Sequence, residues 1–150
     1  MNEKIKNILI LIAYFIVAIV IFGSMGVWLP ILIDNYNFNQ VVEETNRSLP
    51  NNILTYSLGI FLIAIIDRIV YLLFKTSKYS NNVLEFFGIM FALFGTGVLV
   101  FLSLKSLKNT QIESSISYAK YVAFVAWFAW LYVKFQSTKT NNFSPIGGIL

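Results

Sequence analysis

The sequence contains no cysteine and no histidine. Without cysteine, the chain can form neither a disulfide nor a thiolate metal site. Without histidine, it lacks the commonest metal ligand and general base, so Ser-His-Asp and Cys-His catalysis are excluded within this chain. It also carries no glycine-rich phosphate loop, no HExxH motif and no nucleophile elbow. We therefore expect a protein that is not an enzyme and that binds no cofactor or metal.

Charged residues are also scarce. They make up 12% of the 150 residues, against 57% hydrophobic residues, whereas a soluble domain carries roughly 25% charge. The formal net charge is +4, but the basic residues lie at the ends of apolar runs and not along one stripe. This arrangement is typical of membrane topology. We therefore expect the lipid bilayer as a partner and no binding of nucleic acid.

Four long apolar runs predict an all-α membrane protein with four transmembrane helices. The helices are expected at about residues 5–33, 52–74, 83–104 and 116–136. Together they form one transmembrane domain over residues 1–137, followed by a polar cytoplasmic tail over residues 138–150. The polar segment 34–51 is expected to be a loop with a short interfacial helix that ends before Pro50. Because stripes of small residues occur on the last two helices, we expect the chain to assemble as an oligomeric bundle.

The distribution of lysine and arginine predicts the orientation. With four spans, one side of the membrane receives Lys4, Lys6, Lys75, Lys78, Lys134 and Lys139, and the other receives Arg47, Lys105 and Lys108, with Lys120 reaching the same way. Since the more basic side is normally cytoplasmic, both termini are expected in the cytoplasm and the 34–51 loop outside. The predicted location is the cell (inner) membrane.

Small residues form one stripe on each of the last two helices. The third helix carries Gly88, Ala92 and Gly95, and the fourth carries Ala119, Ala123 and Ala126. In lipid, small residues mark faces where helix backbones approach closely. One stripe is expected to serve packing within the protomer and the other a homo-oligomer interface, and the sequence leaves open which is which.

Three charged residues lie inside the second and third apolar runs: Asp67 and Arg68 in the second, and Glu85 near the start of the third. Such residues normally face the bundle interior or water and are paired. In one interpretation, Arg68 reaches the cytoplasmic headgroups and pairs with Asp67 or Glu85, which fixes the register of the hairpin formed by helices two and three. In the other, Asp67 and Glu85 line an aqueous pathway or form a proton- or ion-sensitive switch.

The overall arrangement of the chain has three further features: a basic start at Lys4-Ile5-Lys6, an outer loop, and the segment Leu54–Ile60 that opens the second helix. It resembles the small four-helix membrane proteins of prokaryotic phage-defence systems, such as the Kiwa membrane subunit and RexB. The resemblance implies a non-enzymatic sensor, anchor or membrane-perturbing effector that oligomerises and contacts a soluble cytoplasmic partner protein. The alternative is a small oligomeric ion channel or transporter with Asp67, Arg68 and Glu85 along its path.

Overall fold

A computed structural model describes residues 3–74 and 79–137 as helices and short connections. The elements are α1 (Glu3–Tyr14), a π-helical segment (Phe15–Gly23), α2 (Met25–Phe38), α3 (Glu43–Phe74), α4 (Tyr79–Lys108) and α5 (Ile112–Ser137). Within these ranges, four helices are long and apolar enough to cross a membrane: Ile5–Gly23, Glu43–Leu72, Val83–Lys108 and Ile112–Gln136. The predicted tail 138–150 and the link 75–78 lie outside the described residues.

The predicted loop over residues 34–51 is mostly helical in the structure. α2 continues to Phe38, and α3 begins at Glu43 and runs on through the buried Pro50 in place of the short separate helix. The Asp34 carboxylate accepts a hydrogen bond from the Val42 backbone N–H at 2.9 Å, which fixes the turn between the two helices. Hydropathy thus marks where the chain becomes apolar, whereas local hydrogen bonding decides where the helix starts.

The helix predicted over residues 5–33 is interrupted. Residues 15–23 form a π-helix, and the chain turns at Ser24 before α2 begins. The three consecutive carbonyls of residues 19–21 accept side-chain hydrogen bonds from the Tyr56 hydroxyl (2.7 Å), the Ser24 hydroxyl and the Trp28 indole (3.0 Å), respectively. These side chains satisfy backbone oxygens where an apolar environment offers no water.

α5 lies between α3 and α4 and carries the main buried stripe. This stripe comprises Ser115, Ala119, Val122, Ala126, Trp130 and Lys134. Its first part packs with Ile53 and Leu54 of α3 in one core cluster, and its second part packs with Phe61 and Ala64 in another. Ala119 and Ala126 are completely buried, and Ala123 packs against the first cluster. The α5 stripe therefore serves packing within the protomer.

α1 joins this core through a few large side chains. Leu11 is completely buried, and Tyr14 stacks on Trp130 with ring centroids 6.0 Å apart. Farther along, the Tyr56 hydroxyl bonds to the Ile19 carbonyl and accepts a hydrogen bond from the Trp127 indole at 2.9 Å. Because Tyr14 meets the later part of α5 and residue 19 meets the early part of α3, α1 runs antiparallel to α5. The start of α1 thus lies at the end of the bundle where α3 and α5 finish.

Candidate functional site

The ionisable residues Asp67 and Arg68 lie near the end of α3 and point to different neighbours, since adjacent helical residues are about 100° apart. The Arg68 guanidinium forms a salt bridge with the Glu85 carboxylate of α4, with Nε and Nη2 both meeting Oε1. Nη2 also donates to Oε1 of Gln136 on α5 at 2.7 Å. Arg68 therefore ties three helices together at one end of the bundle.

Aromatic rings cover the Arg68 guanidinium. Its Cζ atom lies 4.6 Å from the ring centroid of Tyr71 and 5.9 Å from that of Tyr132. A guanidinium attracts aromatic faces while its edge remains available for planar hydrogen bonding. The Arg68 side chain is only 6% exposed and the Glu85 side chain 20% exposed. The pair therefore belongs to the protein interior, with Glu85 nearer the surface.

Asp67 forms a second interhelical pair. Its Oδ2 atom lies 2.9 Å from Nζ of Lys134 on α5, and the two side chains are 35% and 7% exposed, respectively. The sequence left Asp67 and Glu85 as alternative partners of Arg68. In the structure Arg68 pairs with Glu85, and Asp67 pairs with a different cation, Lys134. We call Asp67, Arg68, Glu85, Lys134 and Gln136 the charge cluster. Its two carboxylates and two cations give it a net charge of zero.

Lys134 and Gln136 are the members that the sequence reasoning missed. The sequence indicates Lys134 only as a charge that determines topology, and Gln136 only as the last residue of the fourth helix. One signal was present: Lys134 continues the buried α5 stripe four residues after Trp130. A cation that extends an apolar face toward the bundle interior indicates an interior acidic partner.

The small-residue stripe on α4 continues along the same helix face to Ser103, and its two halves differ in packing. Toward the end of α4, Ser103 and Ser115 exchange hydrogen bonds, each hydroxyl donating to the other's carbonyl at 2.9 and 2.8 Å, and both residues are completely buried. Toward its start, a Cβ atom added at Gly88 or at Gly95 would meet nothing within 4 Å. Close helix packing within the protomer therefore occurs in the serine half and not at these glycines.

An apolar cavity of about 480 Å³, which we call the groove, lies between α3, α4 and α5 beside the charge cluster. Phe61 and Ile65 contribute from α3, Gly88 and Ala92 from α4, and Val125 is one of the α5 residues that line it. Among the described residues that line the groove, Glu85 is the only charged one. The groove thus joins an apolar interior to a carboxylate at the third residue of the third span.

No metal centre appears among the described helices, since they bring together no group of three or more His, Cys, Asp or Glu residues. Compared with known proteins, the chain matches no family model, no curated protein and no solved structure.

Proposed function

We propose that the protein is a non-enzymatic, multi-pass subunit of the cell membrane that acts as a sensor, anchor or membrane-perturbing effector in anti-phage defence. The observation that carries the non-enzymatic assignment is the pairing within the charge cluster, whereas the role in anti-phage defence is what the resemblance of the four-helix plan implies. Arg68 engages Glu85, and Lys134 engages Asp67. Catalysis or permeation needs charge presented to a substrate or a lumen, whereas these charges are used to hold helices together.

The distribution of buried surface supports association within the membrane. In the most apolar stretch of each span, only 6% of the residues are buried for Ile5–Gly23 and 17% for Val83–Lys108, against 44% for Glu43–Leu72. Two spans thus leave most of their apolar surface available to lipid, to another copy or to a partner. Such surfaces suit a subunit that works by assembling with other membrane components.

The proposed homo-oligomer uses the α4 face around Gly95. The α5 stripe is occupied inside the protomer, while a side chain at Gly95 has free space within the protomer. Gly95→Leu should therefore shift the detergent-solubilised protein toward the monomer in size-exclusion chromatography with light scattering. Gly59→Leu, on α3 and equally open, is the matched control. An unchanged mass for Gly95→Leu would contradict this interface.

In the proposed orientation both termini are cytoplasmic, because Lys and Arg are more numerous on that side. A reporter fused after Leu150 should be active in the cytoplasm, and one inserted at residues 39–42 should be active outside. This placement also exposes the end of the bundle that carries the charge cluster to a soluble cytoplasmic partner protein. An exterior C-terminus would overturn the orientation.

Purified protein in liposomes tests the proposed function against the alternative of a small oligomeric ion channel or transporter. One observation favours the alternative: the Asp67 side chain remains 35% exposed despite its pairing. The sensor, anchor or effector proposal expects no ion flux at rest, and a reduction of phage plating when the protein is expressed with its cellular partners. Resting flux that Asp67→Asn abolishes and Arg47→Ala leaves intact would establish the alternative.

A further inference from the structure

We propose that the groove binds one acyl chain of a phospholipid whose headgroup carries a primary ammonium, with that ammonium donating to Glu85. The proposal is independent of the function proposed above, because it concerns a ligand site and not a biological role. It requires only that α3, α4 and α5 cross a membrane.

The position of the groove agrees with a lipid chain. Glu85 is the third residue of the Val83–Lys108 span, so it lies near one membrane interface, and the groove extends from there past Gly88 to Ala92. Seven residues of helix cover about 10 Å, whereas one leaflet contributes about 15 Å of the 30 Å hydrocarbon core. The groove therefore has its polar end where a headgroup lies and its apolar part where the chain lies.

The chemistry of Glu85 favours an ammonium. Both nitrogens of Arg68 that reach Glu85 meet the same oxygen, Oε1. A carboxylate has about four acceptor positions on two oxygens, and Glu85 lines the groove with a fifth of its side chain exposed. The side of the carboxylate away from Arg68 can accept a charge-assisted hydrogen bond, which is stronger than a bond from a neutral donor.

A lipid chain fits the groove better than a helix of a second copy. On α4 the groove lining extends only from Glu85 to Ala92, whereas the face proposed above for a second copy lies farther along, around Gly95. The groove is therefore too short to seat a helix that crosses the membrane, and its length suits a single flexible chain.

The test compares lipids and variants in detergent. Phosphatidylethanolamine should raise the melting temperature more than phosphatidylglycerol, which has no ammonium, or phosphatidylcholine, whose quaternary ammonium has no N–H. Native mass spectrometry should show one retained molecule of phosphatidylethanolamine per protomer. Equal stabilisation by the three lipids would overturn the headgroup assignment.

Gly88→Leu extends a side chain into the groove from a position where the added Cβ atom meets nothing within 4 Å, so the backbone should not have to move and folding should be preserved. It should reduce lipid retention, whereas Gly97→Leu, equally open but not part of the groove lining, should not. Glu85→Gln should lower the preference for phosphatidylethanolamine over phosphatidylglycerol about tenfold. Unchanged lipid retention in Gly88→Leu would overturn the proposal. If that variant also formed a smaller oligomer, the groove would be assigned to a second copy of the chain.

Discussion

Arg68→Ala is expected to be among the most destabilising single substitutions in the bundle. It removes the cation that joins Glu85 and Gln136, so it leaves the Glu85 carboxylate without its partner. Loss of one member of a buried ion pair typically costs about 3–5 kcal/mol. Because the Glu85 side chain keeps 20% exposure, part of its charge can reach water, and we expect a loss of about 3 kcal/mol, at the lower end of that range.

For a chain of this length, that loss corresponds to a decrease of about 9 °C in melting temperature. The assay is thermal unfolding in detergent, followed by circular dichroism or tryptophan fluorescence. Arg47→Ala is the matched control, since Arg47 also pairs with a glutamate, Glu43, but the two side chains are 66% and 74% exposed. Such exposed pairs contribute about 0.3–0.5 kcal/mol, so the control should shift the melting temperature very little.

The double variant Arg68→Ala/Glu85→Ala separates pairing from packing. Removing both charges should recover about 1–2 kcal/mol relative to the sum of the single losses. Arg68→Lys should fall between wild type and Arg68→Ala, because lysine keeps the charge but cannot reproduce the planar arrangement that meets Glu85 and Gln136. Strictly additive single losses, or an Arg68→Ala variant as stable as Arg47→Ala, would refute the ion-pair reasoning.

The other polar contacts between helices should give smaller effects. Ser103→Ala should cost about 1 kcal/mol in thermal unfolding, and the double variant with Ser115→Ala should cost roughly the sum of the two single losses, because each hydroxyl donates to a backbone carbonyl that the other substitution retains. Lys134→Met should destabilise less than Arg68→Ala in the same assay, since its carboxylate partner is partly hydrated. Tyr56→Phe should cost about 1–2 kcal/mol, because the Ile19 carbonyl loses a donor and the Trp127 indole loses an acceptor, and it should accelerate amide exchange over residues 15–23, measured by mass spectrometry; equal protection there would contradict the assigned role of the hydroxyl.

The number of apolar helices could be predicted from the sequence because their hydropathy is a local property. Composition and run length are sufficient for that prediction, and four helices within residues 3–74 and 79–137 meet it. The start of α3 at Glu43 could not be predicted from the same signal, because it depends on the Asp34 carboxylate and on a helix that tolerates Pro50. At the break near Ser24, the carbonyl of residue 19 accepts its hydrogen bond from Tyr56, 37 residues later in the chain, and a contact at that separation cannot be predicted from a local pattern.

The candidate site was predictable only in part for the same reason. Charge inside an apolar run singled out Asp67, Arg68 and Glu85, since each is conspicuous against its neighbours. The assignment of partners depends on how α5 is rotated against α3, and Lys134 is 67 residues away from Asp67 in the chain. Gln136 is neutral, so nothing in its local sequence distinguishes it from an ordinary helix-terminal amide.

The hydrogen bond between Tyr56 and the carbonyl of residue 19 has a consequence for biosynthesis. The donor lies 37 residues after its acceptor, and the indole of Trp127, which donates to the same hydroxyl, follows 71 residues after Tyr56. During translation the first span therefore reaches the membrane before α3, which carries Tyr56, can insert, and well before Trp127 has been made. Its interrupted segment gains the bond from Tyr56 only once α3 is inserted, and the supporting indole arrives with the last helix. In a nascent chain that stops before α5, the Tyr56 hydroxyl would lack the hydrogen bond from the Trp127 indole. The first span would then be held less firmly, and membrane quality control could recognise that difference.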